Sequence, residues 1–164
     1  MPSPWSWIDA PGCPAVPDDH GGNIDLKELT AGSTLFLPVW ASGALFSTGD
    51  AHAAQGDGEV NVTAVETAMK KAVLRFHVRK DMKLERPLAE TATHWIAMAF
   101  HPDLDEALRT AVRDAVAFIA RRTGISPEDA YAVASIGVDF RVTQVVNGVK
   151  GVHAVLHDDA IRFS

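Results

Sequence analysis

Residues 103–124 read DLDEALRTAVRDAVAFIARRTG, and this stretch decides the fold. Leu104, Ala107, Leu108, Ala111, Val112, Ala115, Val116 and Ile119 recur at spacings of three and four. That spacing lines them along one stripe and predicts an amphipathic helix over about 104–122. Asp103 is placed to cap the first turn, with Glu106 reaching back as in a capping box. Arg121, Arg122 and Gly124 suit the negative end of the helix dipole and a left-handed cap. Ser126 and Pro127 then open a second helix ending near Gly137, with Tyr131 and Val133 expected to face inward. Beyond it, residues 139–146 and 149–156 flank Asn147-Gly148, a hairpin signal because both residues tolerate positive φ.

Upstream, Thr34–Trp40 and Ala44–Ser47 are short β-prone apolar runs, and Thr91–Phe100 is another. Leu74, Phe76 and Val78 alternate with Arg75, His77 and Arg79, which predicts a half-buried strand with one wet face. Val60–Ala72 reads first as strand, with a short helix over 64–72 as the alternative. Strands, then two helices, then a hairpin make an α+β chain rather than a repeated β-α-β one. The expectation is a β-rich fold of antiparallel or mixed sheets, sandwich-like, with two helices packed on the sheet and a C-terminal hairpin. One domain is expected over residues 1–164, with the proline-rich residues 1–22 forming an extended arm anchored by Trp5 and Trp7.

The chain has 164 residues, 47% hydrophobic and 22% charged, and a mean hydropathy of +0.03. That balance excludes disordered, collagen-like and membrane-spanning classes. A formal charge of −6 offers no basic field for a phosphate backbone, so nucleic acid is not an expected partner, and neither is a membrane. A single cysteine, Cys13, fits a reducing compartment and reads as a plain loop residue. With no readable signal peptide, the cytoplasm is the expected location. Nucleophile elbows, phosphate loops, dinucleotide fingerprints and the zinc-protease helix motif are all missing.

Chemistry concentrates in Gly49-Asp50-Ala51-His52-Ala53-Ala54-Gln55-Gly56-Asp57-Gly58-Glu59. In extended chain Asp50 shares a face with His52, and Asp57 with Glu59, so a turn between the pairs can make all four converge. Oxygen and nitrogen ligands so gathered suit a divalent ion, with a spare carboxylate to take a proton from an activated water. The alternative reading is a glycine-rich surface loop carrying solvated acids. A second cluster, Asp18-Asp19-His20-Gly21-Gly22-Asn23-Ile24-Asp25, mixes the same groups, or else is a turn in which Asn23 or Asp25 caps residues 26–29. His77, His153 and His157 read as surface or rim residues, and His94 as lining a pocket or packing.

These two clusters resemble the acetamidase/formamidase family, amide hydrolases acting on short amides. The resemblance is carried by His20-Gly21-Gly22-Asn23-Ile24-Asp25, by Leu37-Pro38-Val39, and by the unbroken run from Gly43 through Gly49-Asp50-Ala51-His52-Ala53-Ala54-Gln55-Gly56-Asp57-Gly58-Glu59 to Val60. It extends more weakly through Glu66-Thr67, residues 103–107, 126–131 and 139–146, and covers about 19–156. The chain is similar to the C-terminal part of longer family members. The resemblance implies a metal-assisted hydrolysis of formamide- or acetamide-type substrates. Asp50, His52 and Asp25 are the expected metal ligands, Glu59 the general base and Asp57 a further catalytic group. His20, Asn23 and Gln55 are expected substrate contacts, and Trp40, Phe46 or Trp95 pocket walls. Zinc leads among the divalent ions, with Ca, Mn, Ni or Fe as alternatives. The rival reading is a non-catalytic metal- or ligand-binding remnant, or one subunit of a split amidase. A homo-oligomer, or a partner supplying the N-terminal portion, is expected with either.

Overall fold

The Asp103 side chain accepts the backbone N–H groups of Asp105 and Glu106 at 2.9 and 3.1 Å, which starts α1 (Leu104–Thr123) where its apolar stripe begins. A computed structural model describes residues 16–161, so Trp5, Trp7 and Cys13 lie outside the described residues. Glu106 does not close a capping box; its carboxylate pairs forward with Arg109 one turn on. Gly124 ends α1 at φ 78°, its N–H bonded to the Ala120 carbonyl. Ser126 caps α2 (Pro127–Gly137) by accepting from the Asp129 N–H at 3.0 Å.

α2 buries Ala130 and Ala134, four residues apart, with Val133 half-buried beside them. Tyr131 instead lies 64% exposed, because one residue beyond Ala130 turns the side chain about 100° away from that stripe. The Asn147-Gly148 turn has φ of 60° and 78° and joins β6 (Val138–Gln144) to β7 (Lys150–His157), as its residues require.

The remaining strands are β1 (Thr34–Phe36), β2 (His52–Ala54), β3 (Val65–Glu66), β4 (Leu88–Glu90) and β5 (His94–His101). Five of the seven form an antiparallel sheet in the order β1-β4-β5-β7-β6; β2 and β3 pair separately. The fold is thus α+β and β-rich, with both helices against the sheet.

β5 and β7 are buried on both faces. Trp95, Ala97, Ala154 and Leu156 meet Ala115, Phe118 and Ile119 of α1, while Ile96 and Met98 meet Ile24, Leu26 and Ala89 on the opposite side. Each large aliphatic so covered contributes about 1.5–3 kcal/mol, so both layers hold the central strands in place. Double coverage also explains why these strands read as apolar runs rather than as alternation.

Two expected strands fail for want of a partner, and a third is cut short. Ala44–Ser47 and Leu74–Val78 form no ladder, and Val60–Ala72 yields only Val65–Glu66. Alternation supplies one apolar face, but a strand also needs backbone partners, and Leu74, Phe76 and Val78 are exposed among the described residues. Thr34–Trp40 shortens to three residues because Pro38 has no N–H to continue the ladder. No helix of the described residues is long and apolar enough to cross a membrane.

Candidate active site

Two loops build the site. In the first, Ile24 and Leu26 are buried against the sheet, which turns the intervening Asp25 away from the core. Asn23 and Asp25 hold positive φ of 42° and 49°, a conformation that Asn and Asp tolerate better than most residues. The second loop is stitched to the end of β6: Gly58 N–H donates to the Thr143 carbonyl at 3.1 Å, and Val145 N–H donates to the Gly58 carbonyl at 3.0 Å. Gly58 makes that turn at φ 93°, which disfavours any side chain there. β2 presents His52, anchored by pairing with Glu66 and by the Thr67 N–H on the Ala51 carbonyl.

Ligand atoms of Asp25, Asp50 and His52 all lie within 4.8 Å of one another. His52 Nε2 is 3.2 Å from Asp50 Oδ1, and its Nδ1 is 2.8 Å from Gln55 Oε1. The Gln55 amide nitrogen donates to the Asp25 backbone carbonyl at 2.5 Å, so one side chain ties the two loops together. With its nitrogen so used, the Gln55 oxygen faces the imidazole and accepts the proton on Nδ1, while Nε2 is turned to the Asp50 carboxylate. The Gln55 hydrogen bond, with the Asp50 carboxylate, also raises the His52 pKa.

Glu59 is buried and its Oε2 has no hydrogen-bond partner. Burial, then the charge of Glu59 and a hydrogen bond with it, push Asp25 up from 3.8 to about 7. The Glu59 charge that helps raise Asp25 is charge that a cation would neutralise.

Asp57 leaves this group. It pairs with Lys27 at 2.7 Å and lies with Glu28 and His153 in a second cluster. The four groups of the 50–59 loop therefore divide, Asp57 going one way and Asp50, His52 and Glu59 the other. His20 lies 4.0 Å from Asp18 with its Nε2 buried and without a partner, and Asn23 stands two residues before Asp25.

His153 corrects the rim reading: it is 0% exposed, because β7 is covered on both faces. An imidazole inside the apolar run Val152-His153-Ala154-Val155 was the available signal, whereas Glu28 carried none. His77 is exposed but stands on no strand. Among the expected aromatic walls, Trp95 is corrected. Trp40 is 65% exposed, and Trp95 packs in the core, its ring centroid 5.9 Å from Phe36 and 5.1 Å from Phe118. Phe46 packs edge-on against Phe76, and an open depression beside the site is lined instead by Asp50, Ala51, Glu66, Thr67 and Ala68.

Fold and loops together define a β-rich α+β protein that gathers carboxylates and an imidazole beside one antiparallel sheet. The chain belongs to the acetamidase/formamidase family, whose model matches residues 5–157. An acetamidase of Mycolicibacterium smegmatis is 53% identical over 45 residues, 27% of this chain and 11% of that protein. A formamidase of Methylophilus methylotrophus is 29% identical over 137 residues, 71% of this chain and 33% of that protein. The solved acetamidase from Yersinia enterocolitica superposes with a TM-score of 0.81 at 31% identity, over 92% of this chain and 46% of that one. For the acetamidase from Bacillus halodurans the values are 0.78, 34%, 88% and 49%. The chain thus spans about half the length of these two solved relatives.

Proposed function

We propose that the site supports metal-assisted hydrolysis of a short-chain amide, of the formamide or acetamide type, to a carboxylate and ammonia. The observation that carries this reading is the convergence of Asp25, Asp50 and His52 from two loops beside a buried Glu59 in a member of this family. Two carboxylates and one imidazole suit zinc best, with Mn, Fe, Ni or Ca as alternatives. Such an ion would polarise the amide carbonyl and activate a water. Asp25, Asp50 and His52 Nε2 would hold it, Gln55 keeping the imidazole in the required tautomer. Glu59, its Oε2 unengaged, takes the proton of the attacking water and returns it to the leaving nitrogen. His20 and Asn23, on the loop that carries Asp25, contact the substrate.

Ammonia release from formamide and acetamide, measured with metal content on one sample, tests the reading. Turnover that needs the metal and disappears in Asp50→Ala supports it. A metal-replete chain whose turnover survives Asp50→Ala sinks it.

The pH dependence follows from Asp25. Its folded pKa of about 7 lies above the ordinary value of 3.8, so the folded metal-free chain holds a proton that the unfolded chain has released. Stability of the metal-free chain therefore falls as pH rises from about 4 to about 7. An ion must displace that proton and compete with the one on His52, whose pKa is raised as well, so affinity rises at least about tenfold per pH unit below 7. Calorimetric zinc titrations at pH 6, 7 and 8 check this; equal affinities at all three would remove Asp25 from the ligand set.

One observation favours a second reading, in which the chain is one part of a split amidase. Val39, Trp40, Leu45, Phe46, Val60, Val62, Val65, Met69, Val73, Leu74, Phe76 and Val78 are all exposed, and all fall within residues 39–78. Such a concentration of large apolar side chains is an interaction surface rather than ordinary scatter. The fitting occupant is a polypeptide equivalent to the rest of the relatives' length, of which this chain spans about half. On this reading the chain alone binds an apolar dye and is inactive, and mixing with that polypeptide abolishes dye binding and starts turnover. A chain fully active as a monomer excludes it.

A further inference from the structure

We infer that Glu28, Asp57 and His153 form a second divalent-cation site, apart from the one proposed to hydrolyse amides. Their ligand atoms all lie within 4.8 Å of one another. Three carboxylate and imidazole groups so placed can be mere surface chemistry, but His153 is not on the surface. It is 0% exposed, and its Nε2, pointing at the two carboxylates, has no hydrogen-bond partner. The nearest carboxylate oxygen, Glu28 Oε1, is 3.8 Å away, too far for a hydrogen bond. An ion about 2.0–2.2 Å from each ligand fits across that gap. Glu28 Oε2 is likewise buried without a partner, so one cation would satisfy both orphaned atoms.

The surroundings prepare the imidazole for this use. Nδ1 of His153 is 2.7 Å from Thr143 Oγ1. A proton on Nδ1, donated to that hydroxyl, leaves the Nε2 lone pair free for a metal and fixes the ring. Thr143 is itself tied to the 55–59 loop through its carbonyl and the Gly58 N–H, so the group that orients His153 also positions Asp57. Burial lowers the His153 pKa, which favours the neutral ligand form.

Two side-chain cations sit at the rim. Lys27 reaches Asp57 at 2.7 Å, and Arg141 lies 3.5 Å from Glu28 while also bonding Asp139 at 2.9 Å. Both are partly exposed, so each can swing toward water as the carboxylates turn inward. A set with one buried imidazole selects zinc-like or manganese-like ions over calcium, which takes oxygen ligands. An ion there would clamp the 24–29 segment, the 55–59 loop and β7 together.

The test is to strip the full chain with a chelator and count zinc bound on return by equilibrium dialysis, following the melting temperature in parallel. Two equivalents are expected for the unsubstituted chain. One is expected for Glu28→Gln and for Asp57→Asn, both folded by circular dichroism, with a smaller zinc-induced rise in melting temperature. His153→Leu should behave likewise, but the two carboxylate variants decide the matter if it does not fold. Asp50→Asn separates the two sites. A single equivalent that survives Asp50→Asn and is lost in Glu28→Gln upholds this site and removes the amide-hydrolysing one. A single equivalent lost in Asp50→Asn and kept in Glu28→Gln overturns this site, as do two equivalents retained in both carboxylate variants.

Discussion

Glu59→Gln is expected to lower kcat for amide hydrolysis by about 10²–10⁴-fold, the range that a positioned acid–base group supplies. The substitution keeps size and shape, and Glu59 is hydrogen-bonded to Asp25 without itself belonging to the proposed ligand set, so metal content should hold. A second readout separates a chemical role from a structural one. The charge of Glu59 and its hydrogen bond are, after burial, the causes that lift Asp25 to about 7. A neutral amide removes that charge, so Asp25 ionises more readily and the pH profile of zinc binding moves to lower pH. Loss of turnover with full metal and a shifted profile assigns the proton transfer to Glu59. Undiminished turnover ends that assignment.

His52→Ala carries the other large effect. It deletes the one nitrogen ligand of the proposed set and should weaken zinc binding by more than the 10–100-fold typical of an orienting residue. Gln55→Leu provides the comparison, since Gln55 only holds the imidazole by Nδ1 and braces the Asp25 carbonyl. It should fall within that 10–100-fold range. Turnover at limiting zinc should drop in the same order, and excess zinc should restore Gln55→Leu far more than His52→Ala. Because β2 lies apart from the five-stranded sheet, neither change should alter the main melting transition much. Equal zinc affinity in His52→Ala and the unsubstituted chain would exclude His52 as a ligand.

The reach of the sequence differs between the two halves of the molecule. Both helices, their caps and the Asn147-Gly148 hairpin were legible because each depends on residues within about four positions of one another. Glycine-spaced acids beside His52 likewise marked a loop of the candidate site, and the 43–60 run carried the family resemblance. Less legible was which acids would meet. Asp25 and Asp50 are 25 positions apart, and Asp57 and His153 are 96 apart. His153 looked peripheral because its neighbours gave no hint that both faces of β7 would be covered.

What the sequence by itself determined, then, was the α+β order of elements, the helix boundaries and the hairpin, all set by contacts between near neighbours. Tertiary structure alone decided which apolar runs became strands. Leu88–Glu90 found ladders on both sides between β1 and β5, whereas the better-patterned Leu74–Val78 found none. It also decided how the acids were shared out. The Gly58 link to β6 and the burial of Ile24 and Leu26 fix two loops in space, sending Asp50 and His52 to Asp25 and Asp57 to Glu28 and His153. A side chain's direction within a loop follows from where its flanking residues are anchored, and those anchors are distant in the chain.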